Sequence, residues 1–447
     1  MKSIATIKVP EFRFPTNLRG GFPMKLNTKR TFFIGLAFLS ISAFWQLYDN
    51  IIPIMLSKTF GLGETLTGAI MAIDNVLALF LLPLVGAFSD KVNTRLGKRT
   101  PFILFGTVSA VIFMTLLPLT NNNKNFPLFI ISLGLVLIAM ASYRSPAVAL
   151  MPDLTPKPLR SKANAIINLM GTLGAIYTLL TIRFLVAEVE HPNYTPVFLS
   201  ISLVMVGAVI LLLFTTKENK LPKYTEMDEE EATDKNSKES SFKLSKEVQT
   251  SLILLLSSVF LWFAAYNAVT TAFSRYALEV WNLGGGSFAT PLLVATGAAT
   301  IAYIPIGYIS SRFGRKKVII GGIIMMTASY FAGFLCTEYT PLIYLILALT
   351  GIGWASINVN SYPMVVEMSK GSDVGKYTGF YYTFSMLAQT ITPILSGLLL
   401  EKVSYRTLFP YAMVFSTLSL CTMLFVKHGD AKPFQKQNAL EHFDMED

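Results

Sequence analysis

Apolar residues run through this chain in long unbroken blocks, and polar residues gather in the short stretches between them. A helix needs about 20 mostly apolar residues to cross a bilayer. Twelve blocks meet that length: residues 31–56, 65–89, 100–119, 126–151, 161–187, 194–215, 248–278, 287–311, 317–336, 340–367, 374–401 and 404–426. The runs are continuous and do not alternate, which predicts helices and argues against a closed barrel of strands. Several contain prolines, among them Pro53, Pro83, Pro146, Pro305, Pro363 and Pro393. An isolated helix loses a hydrogen bond at such a position, but bundled membrane helices supply other partners for the freed carbonyls. The predicted fold class is an all-α membrane protein with twelve transmembrane helices.

Composition agrees with this reading and narrows the chemistry. Of 447 residues, 52% are hydrophobic and 14% charged, against about 25% charged in a soluble domain. Two cysteines, Cys336 and Cys421, exclude a disulfide scaffold, and with three histidines they leave too little for a metal cluster. The net charge of +10 would suggest nucleic acid in a soluble protein. Here its position explains it. With both termini placed in the cytoplasm, 30 of the 37 basic residues fall in the inner segments, as the positive-inside rule requires. A nucleic-acid partner is therefore not expected. The basic first 30 residues precede a span too long for the apolar region of a cleavable signal.

The longest polar interruption, residues 216–247, carries the acidic run Asp228-Glu229-Glu230-Glu231 and divides the spans six and six. The expected organisation is a cytoplasmic segment (1–30), a six-helix bundle (31–215), a cytoplasmic linker (216–247), a second bundle (248–426) and a cytoplasmic tail (427–447). The two halves repeat. Tyr48-Asp49 matches Tyr266-Asn267 at an offset of 218, Gly86 and Ser89 match Gly307 and Ser310 at 221, and Asp153 and Lys162 match Glu367 and Lys376 at 214. Parallel repeats of this kind predict two bundles related by an axis along the membrane normal, which can rock about a shared central cavity.

The loop after helix 2 reads Gly86-Ala-Phe-Ser89-Asp90-Lys91-Val-Asn-Thr-Arg95-Leu-Gly97-Lys98-Arg99-Thr-Pro101-Phe102. It resembles the signature loop of the major facilitator superfamily, and in particular two branches: the sucrose-transporter-like porters and the glycoside–pentoside–hexuronide:cation symporters. Arg144-Ser-Pro146 through Asp153, then Ser161-Lys162-Ala-Asn164, resembles the sucrose-porter branch as well. The second-half loop, Gly307 to Lys317, is similar to the shorter generic form, with Ser311 where the family has Asp. The resemblance implies a cytoplasmic gate built from Gly86, Asp90, Arg95, Gly97, Lys98, Arg99, Asp153, Glu367, Arg312 and Arg315. Physically, Asp90 can accept charge-assisted bonds from nearby cations or from a facing helix N-terminus, latching the inner side. The alternative is that Lys91, Arg95, Lys98 and Arg99 only orient the chain in the membrane.

Three charges fall inside apolar spans: Asp49, Asp74 and Arg144. A charge there costs at least about 2.5 kcal/mol, so it faces the bundle interior and has a partner. Two carboxylates and an arginine in one poorly solvated cavity can trade a proton for an ion pair as exposure changes. Asp74 or Asp49 is the expected proton-coupling group, with Arg144 as counter-ion or hydroxyl donor. The resemblance implies sodium coupling only where paired aspartates stand further along helix 2. This chain has Ala78 and Leu82 there, so the proton is the expected coupling ion.

Residues suited to a polyhydroxylated ligand are Trp45, Gln46, Tyr48, Asn75, Tyr266, Asn267, Trp354, Asn358, Tyr362 and Gln389, with Asn50, Asn164, Asn168, Asn360, Tyr381 and Tyr382 as further candidates. The superfamily's cavity is lined by helices 1, 4, 7 and 10, which favours those on helices 1, 7 and 10. Arg275 and Glu279, four apart, read as a local surface pair. The expectation is a monomeric plasma-membrane transporter of a disaccharide or other small glycoside, without cofactor. The alternatives are an exporter of drugs or other small solutes, and a membrane enzyme acting on lipid-linked substrates. Short outer loops without a nucleophile, phosphate or metal motif count against the enzyme.

Overall fold

The computed structural model describes residues 26–156, 159–189, 191–221, 246–368 and 374–430. The acidic run at 228–231, residues 1–25, the tail beyond Asp430 and the side chains of Lys162 and Lys376 lie outside the described residues. Among the described residues, twelve helices are long and apolar enough to cross a membrane. They are α1 (Thr28–Ile54), α2 (Glu64–Lys91), α3 (Thr100–Asn122), α4 (Phe126–Asp153), α5 (Arg160–Leu185), α6 (Thr195–Thr215), α7 (Lys246–Glu279), α8 (Ala289–Phe313), α9 (Arg315–Leu335), α10 (Leu342–Glu367), α11 (Val374–Lys402) and α12 (Leu408–Phe425).

Local chemistry sets their ends. Asn27 and Asn125 cap α1 and α4 by accepting from the backbone N–H three residues on, and Pro127 occupies the first turn of α4, where no N–H partner is needed. Pro53 lies two residues before α1 passes into a single π-helical turn, Met55–Thr59. The last span starts later than its hydropathy suggests, because Tyr405–Thr407 form a 3₁₀ turn first.

Packing follows the repeat. In the first half α1 packs on α5 and α6, α2 on α4, and α3 on α4 and α6; α7 on α11 and α12, α8 on α10, and α9 on α10 and α12 repeat this six helices later. The halves meet through α2 with α11, α5 with α8, and α1 with α7. One apolar core runs through both halves, with Tyr48, Tyr143, Trp262 and Phe273 among its fully buried side chains. The α2–α11 seam is close enough to require glycine. A Cβ on Gly68 would stand 2.0 Å from the Pro393 carbonyl oxygen, a small-residue contact typical of membrane helix pairs.

The helix ends near residues 28, 91, 153, 215, 313 and 367 share one face, here the terminal face. The ends near 59, 122, 185, 279, 335 and 402 share the other, the distal face.

Candidate functional site

Midway along the helices, Trp45 of α1, Asp74 of α2 and Arg144 of α4 line one small cleft, together with Leu77, Ala78 and Leu82. The Arg144 guanidinium stands 5.8 Å from the Trp45 ring centre, a cation–π contact. Asp74 feels the charge of Arg144 while its Oδ1 accepts from the Asn75 backbone N (2.6 Å) and Nδ2 (2.7 Å). Asp49 lies within electrostatic reach of Asp74. Each also lies within electrostatic reach of the second half: Arg144 of Tyr382 on α11, and Asp49 of Tyr266 on α7. The three intramembrane charges therefore converge on the seam between the bundles.

Aromatic rings complete this region. Tyr266 stacks on Trp354 of α10 at 3.8 Å, nearly parallel, and Phe263 meets the Trp354 edge. Tyr362 sits among Tyr381 and Tyr382 and shares a 3.0 Å hydrogen bond with Thr378. Trp45 Nε1 is buried without a hydrogen-bond partner among the described residues, a donor open to a ligand.

Several polar candidates are already occupied. Asn50, Asn267 and Asn360 donate to the carbonyl four residues back at 2.9 Å, and Gln389 does so at 3.3 Å. Tyr48 is buried and donates to the Met71 carbonyl at 3.3 Å. Asn75 serves Asp74. Gln46 is partly buried on α1, and Asn164, Asn168 and Asn358 are exposed; no hydrogen bond among the described residues ties their side chains to the cleft.

The distal face holds a network that sequence reasoning misplaced. Arg275 was expected to pair locally with Glu279. Instead its Nε donates to Glu64 Oε2 of α2 at 2.6 Å, with both side chains 5% exposed. Tyr405 donates its hydroxyl to the other Glu64 oxygen at 2.7 Å. Glu279 pairs with Lys58 of the first half, and Glu401 accepts from the Thr65 backbone N at 2.9 Å. The physical reason is depth: Arg275 lies in the seam, where a buried carboxylate offers more than an exposed neighbour one turn away. Gly286 N donates to the Val186 carbonyl at 3.1 Å and fastens α8 to the end of α5. Among the described residues, the hydrogen bonds and ion pairs joining the halves lie at this end, so the molecule is closed toward the distal face.

At the terminal face, the bonds that the loop residues make among the described residues lie within their own halves. Arg99 pairs with Asp90, donates Nε to Asp153 at 2.8 Å and donates to Ser89. Burial disfavours the Arg99 charge, but the hydrogen bond and charge of Asp153, then Asp90, outweigh it and raise its pKa above the usual arginine value. Arg315 pairs with Glu367 in the second half. Gly97 turns the loop at φ +124°, a backbone region closed to most side chains, and Lys98 follows it with its backbone N on Glu218. Arg95 is exposed, and Arg312 lies over the Phe313 ring. In this conformation Asp90 ties the loop to its own bundle and does not bridge the halves.

Glu218 and Asp430 were not foreseen. Buried Glu218 accepts from the backbone N of Lys98, Arg99 and Thr100, at 2.7, 3.1 and 2.9 Å, and from the Thr100 hydroxyl at 2.7 Å. Asp430 accepts from the Arg315 backbone N at 2.8 Å. Each carboxylate follows the last helix of its half and caps the third, where a negative charge meets the helix dipole. Their offset, 212 residues, belongs with the other repeat matches and could have revealed them. Glu218→Ala orphans three N–H groups, so a stability loss of about 3 kcal/mol is expected. It would appear as a lower unfolding midpoint in detergent; an unchanged midpoint would remove the anchoring role.

Twelve membrane-length helices in two matched bundles, fastened at one face and holding charges in the seam, define a multi-pass membrane transporter. Residues 33–426 match the family described as MFS/sugar transport protein, and the chain belongs to that family. Among its relatives is an uncharacterized MFS-type transporter of Methanocaldococcus jannaschii, 24% identical over 85% of this chain and 90% of that one. The glucuronide carrier protein homolog of Escherichia coli is 24% identical over 66% of this chain and 64% of its own length. A sucrose transport protein of Arabidopsis thaliana is 26% identical over 27% of this chain and 23% of its own. Among solved structures, a POT family transporter with a bound thioalcohol-conjugated peptide superposes at TM-score 0.69, with 13% identity over 89% of this chain and 95% of that one. The xylose transporter of E. coli superposes at 0.64, with 14% identity over 89% and 94%. These structures establish the fold. The family makes the protein a transporter of sugar-type or other small solutes and not an enzyme.

Proposed function

We propose that the protein is a proton-coupled symporter of a disaccharide or other small glycoside, working as a monomer in the plasma membrane with its terminal face in the cytoplasm. The observation that carries this reading is the convergence of Asp49, Asp74 and Arg144 at the seam, beside Trp45 and the stacked Tyr266–Trp354 pair. A carboxylate compensated in turn by a proton and by Arg144 couples an ion to the swing of the halves. The aromatic faces suit the apolar side of a pyranose, and the unpartnered Trp45 Nε1 suits one of its hydroxyls. The names of two relatives, a sucrose transport protein and a glucuronide carrier homolog, favour a glycoside. The excess of Lys and Arg on the terminal face favours the cytoplasmic placement.

The second reading is export of a less polar solute. It draws on the amides of Asn50, Asn267 and Gln389, which each donate an N–H to their own helix, although Asn50 Oδ1 has no partner among the described residues. Protein in liposomes separates the two. Counterflow of labelled sucrose or a glucuronide, with alkalinisation of the outer medium when sugar is added, is expected for the symporter. No counterflow with any mono- or disaccharide, together with drug-dependent proton movement, would transfer the assignment to the exporter.

A further inference from the structure

On the terminal face, the first turn of α1 and the end of α6 border a cleft of about 480 Å³, a size typical of small-ligand sites. Its rim is cationic: Lys29, Arg30 and Lys217 line it, and among the described residues no carboxylate does. Arg30 is held there by donating Nη2 to the Leu154 carbonyl at 2.8 Å, a neutral acceptor, and it pairs with no acid among the described residues. Neither lysine pairs with an acid among the described residues. The wall is apolar, formed by Phe33, Phe214 and Leu221. Phe214 is 77% exposed in the last turn of α6, an apolar ring left open beside the cleft.

We propose that this cleft holds the phosphate headgroup of an anionic membrane phospholipid, with the start of an acyl chain along Phe214. Cations at the rim and rings on the wall, where two helices leave the hydrocarbon, reproduce the polarity profile of such a lipid. A soluble anion would use the rim alone. Basic residues at this depth favour anionic headgroups cumulatively. The matching corner of the second half is sealed: Ser251 Oγ meets His428 Nδ1 at 2.9 Å, and the Lys427 backbone N donates to the same hydroxyl at 3.2 Å.

The test is native mass spectrometry of the full chain, titrated with phosphatidylglycerol and with phosphatidylcholine. Wild-type protein is expected to retain phosphatidylglycerol selectively. The Lys29→Gln/Lys217→Gln variant should lose that preference by about tenfold or more, and the single Lys29→Gln variant, at an exposed position, by about fivefold. Lys29→Arg/Lys217→Arg and Lys427→Gln should keep it. Unchanged selectivity in both glutamine variants overturns the proposal. So does equal displacement of the lipid by soluble glycerol phosphate, which would mark a site for free phosphate.

Discussion

Arg275→Met is expected to open the distal face. The Arg275–Glu64 pair is buried from both sides, and it joins α7 of one half to α2 of the other. Removing one member of a buried pair leaves the other charge uncompensated, at a cost of about 3–5 kcal/mol. That cost falls on the distal-closed state, because only there are the two groups forced together out of water. When the halves part, Glu64 regains solvent. The equilibrium should therefore move by about a hundredfold or more toward the distal-open state. Spin labels at exposed Lys124 and Glu338, on distal loops of opposite halves, would report it once Cys336 and Cys421 are serine. The distance distribution should lengthen in Arg275→Met. In Glu64→Met/Arg275→Met, where no charge is stranded, the shorter distances should return in large part, although Tyr405 loses its acceptor. Transport should fall at least tenfold in the single variant, since a carrier must close both faces in turn. Identical distance distributions in wild-type and Arg275→Met protein would show that glycine contacts such as Gly68 on Pro393 hold the seam without the ion pair.

This latch also shows where sequence reading stops. The twelve spans were legible because crossing a bilayer imposes a length and a polarity that no soluble helix shares. The pairing of the halves was legible in three ordered repeats, and the buried charges stood out as single polar letters in apolar runs. The partner of a charge is another matter. Arg275 has Glu279 one turn away in sequence, yet it pairs with Glu64, 211 residues distant, because burial in the seam outweighs proximity along the helix. Glu64 begins an apolar run and reads as a helix start. Glu218 follows Lys217 and reads as part of the linker that starts at residue 216, although it is buried and holds three backbone N–H groups. The amide candidates show a different limit. Asn50, Asn267 and Gln389 have the right chemistry for a sugar, but a buried amide bonds to the nearest free carbonyl, and in a helix that is its own fourth predecessor.

Asp49→Asn and Asp74→Asn are expected to separate exchange from accumulation. Counterflow of labelled substrate needs only the rocking of the halves and no net proton movement, so the uncoupled variant should retain it. Uphill accumulation needs a group that carries the proton. One charge moved through 100 mV is worth about 2.3 kcal/mol, or roughly fiftyfold accumulation of a neutral substrate. In the variant that removes the coupling carboxylate this ratio should fall to about one, and substrate-driven alkalinisation should vanish. Asp74 is the stronger candidate of the two, because it shares its cleft with Arg144 while Asp49 reaches the arginine only through Asp74. Arg144→Gln supplies the complementary test. If Arg144 compensates the deprotonated carboxylate, its loss should strand the carrier with a proton bound: counterflow persists and net uptake slows about a hundredfold, the cost of a charge left bare within the membrane. Arg144→Lys keeps the charge but not the planar contact over Trp45, and should recover net uptake in part. Full alkalinisation in both Asp49→Asn and Asp74→Asn would rule these carboxylates out as the coupling site and leave Arg144 as a substrate-binding donor alone.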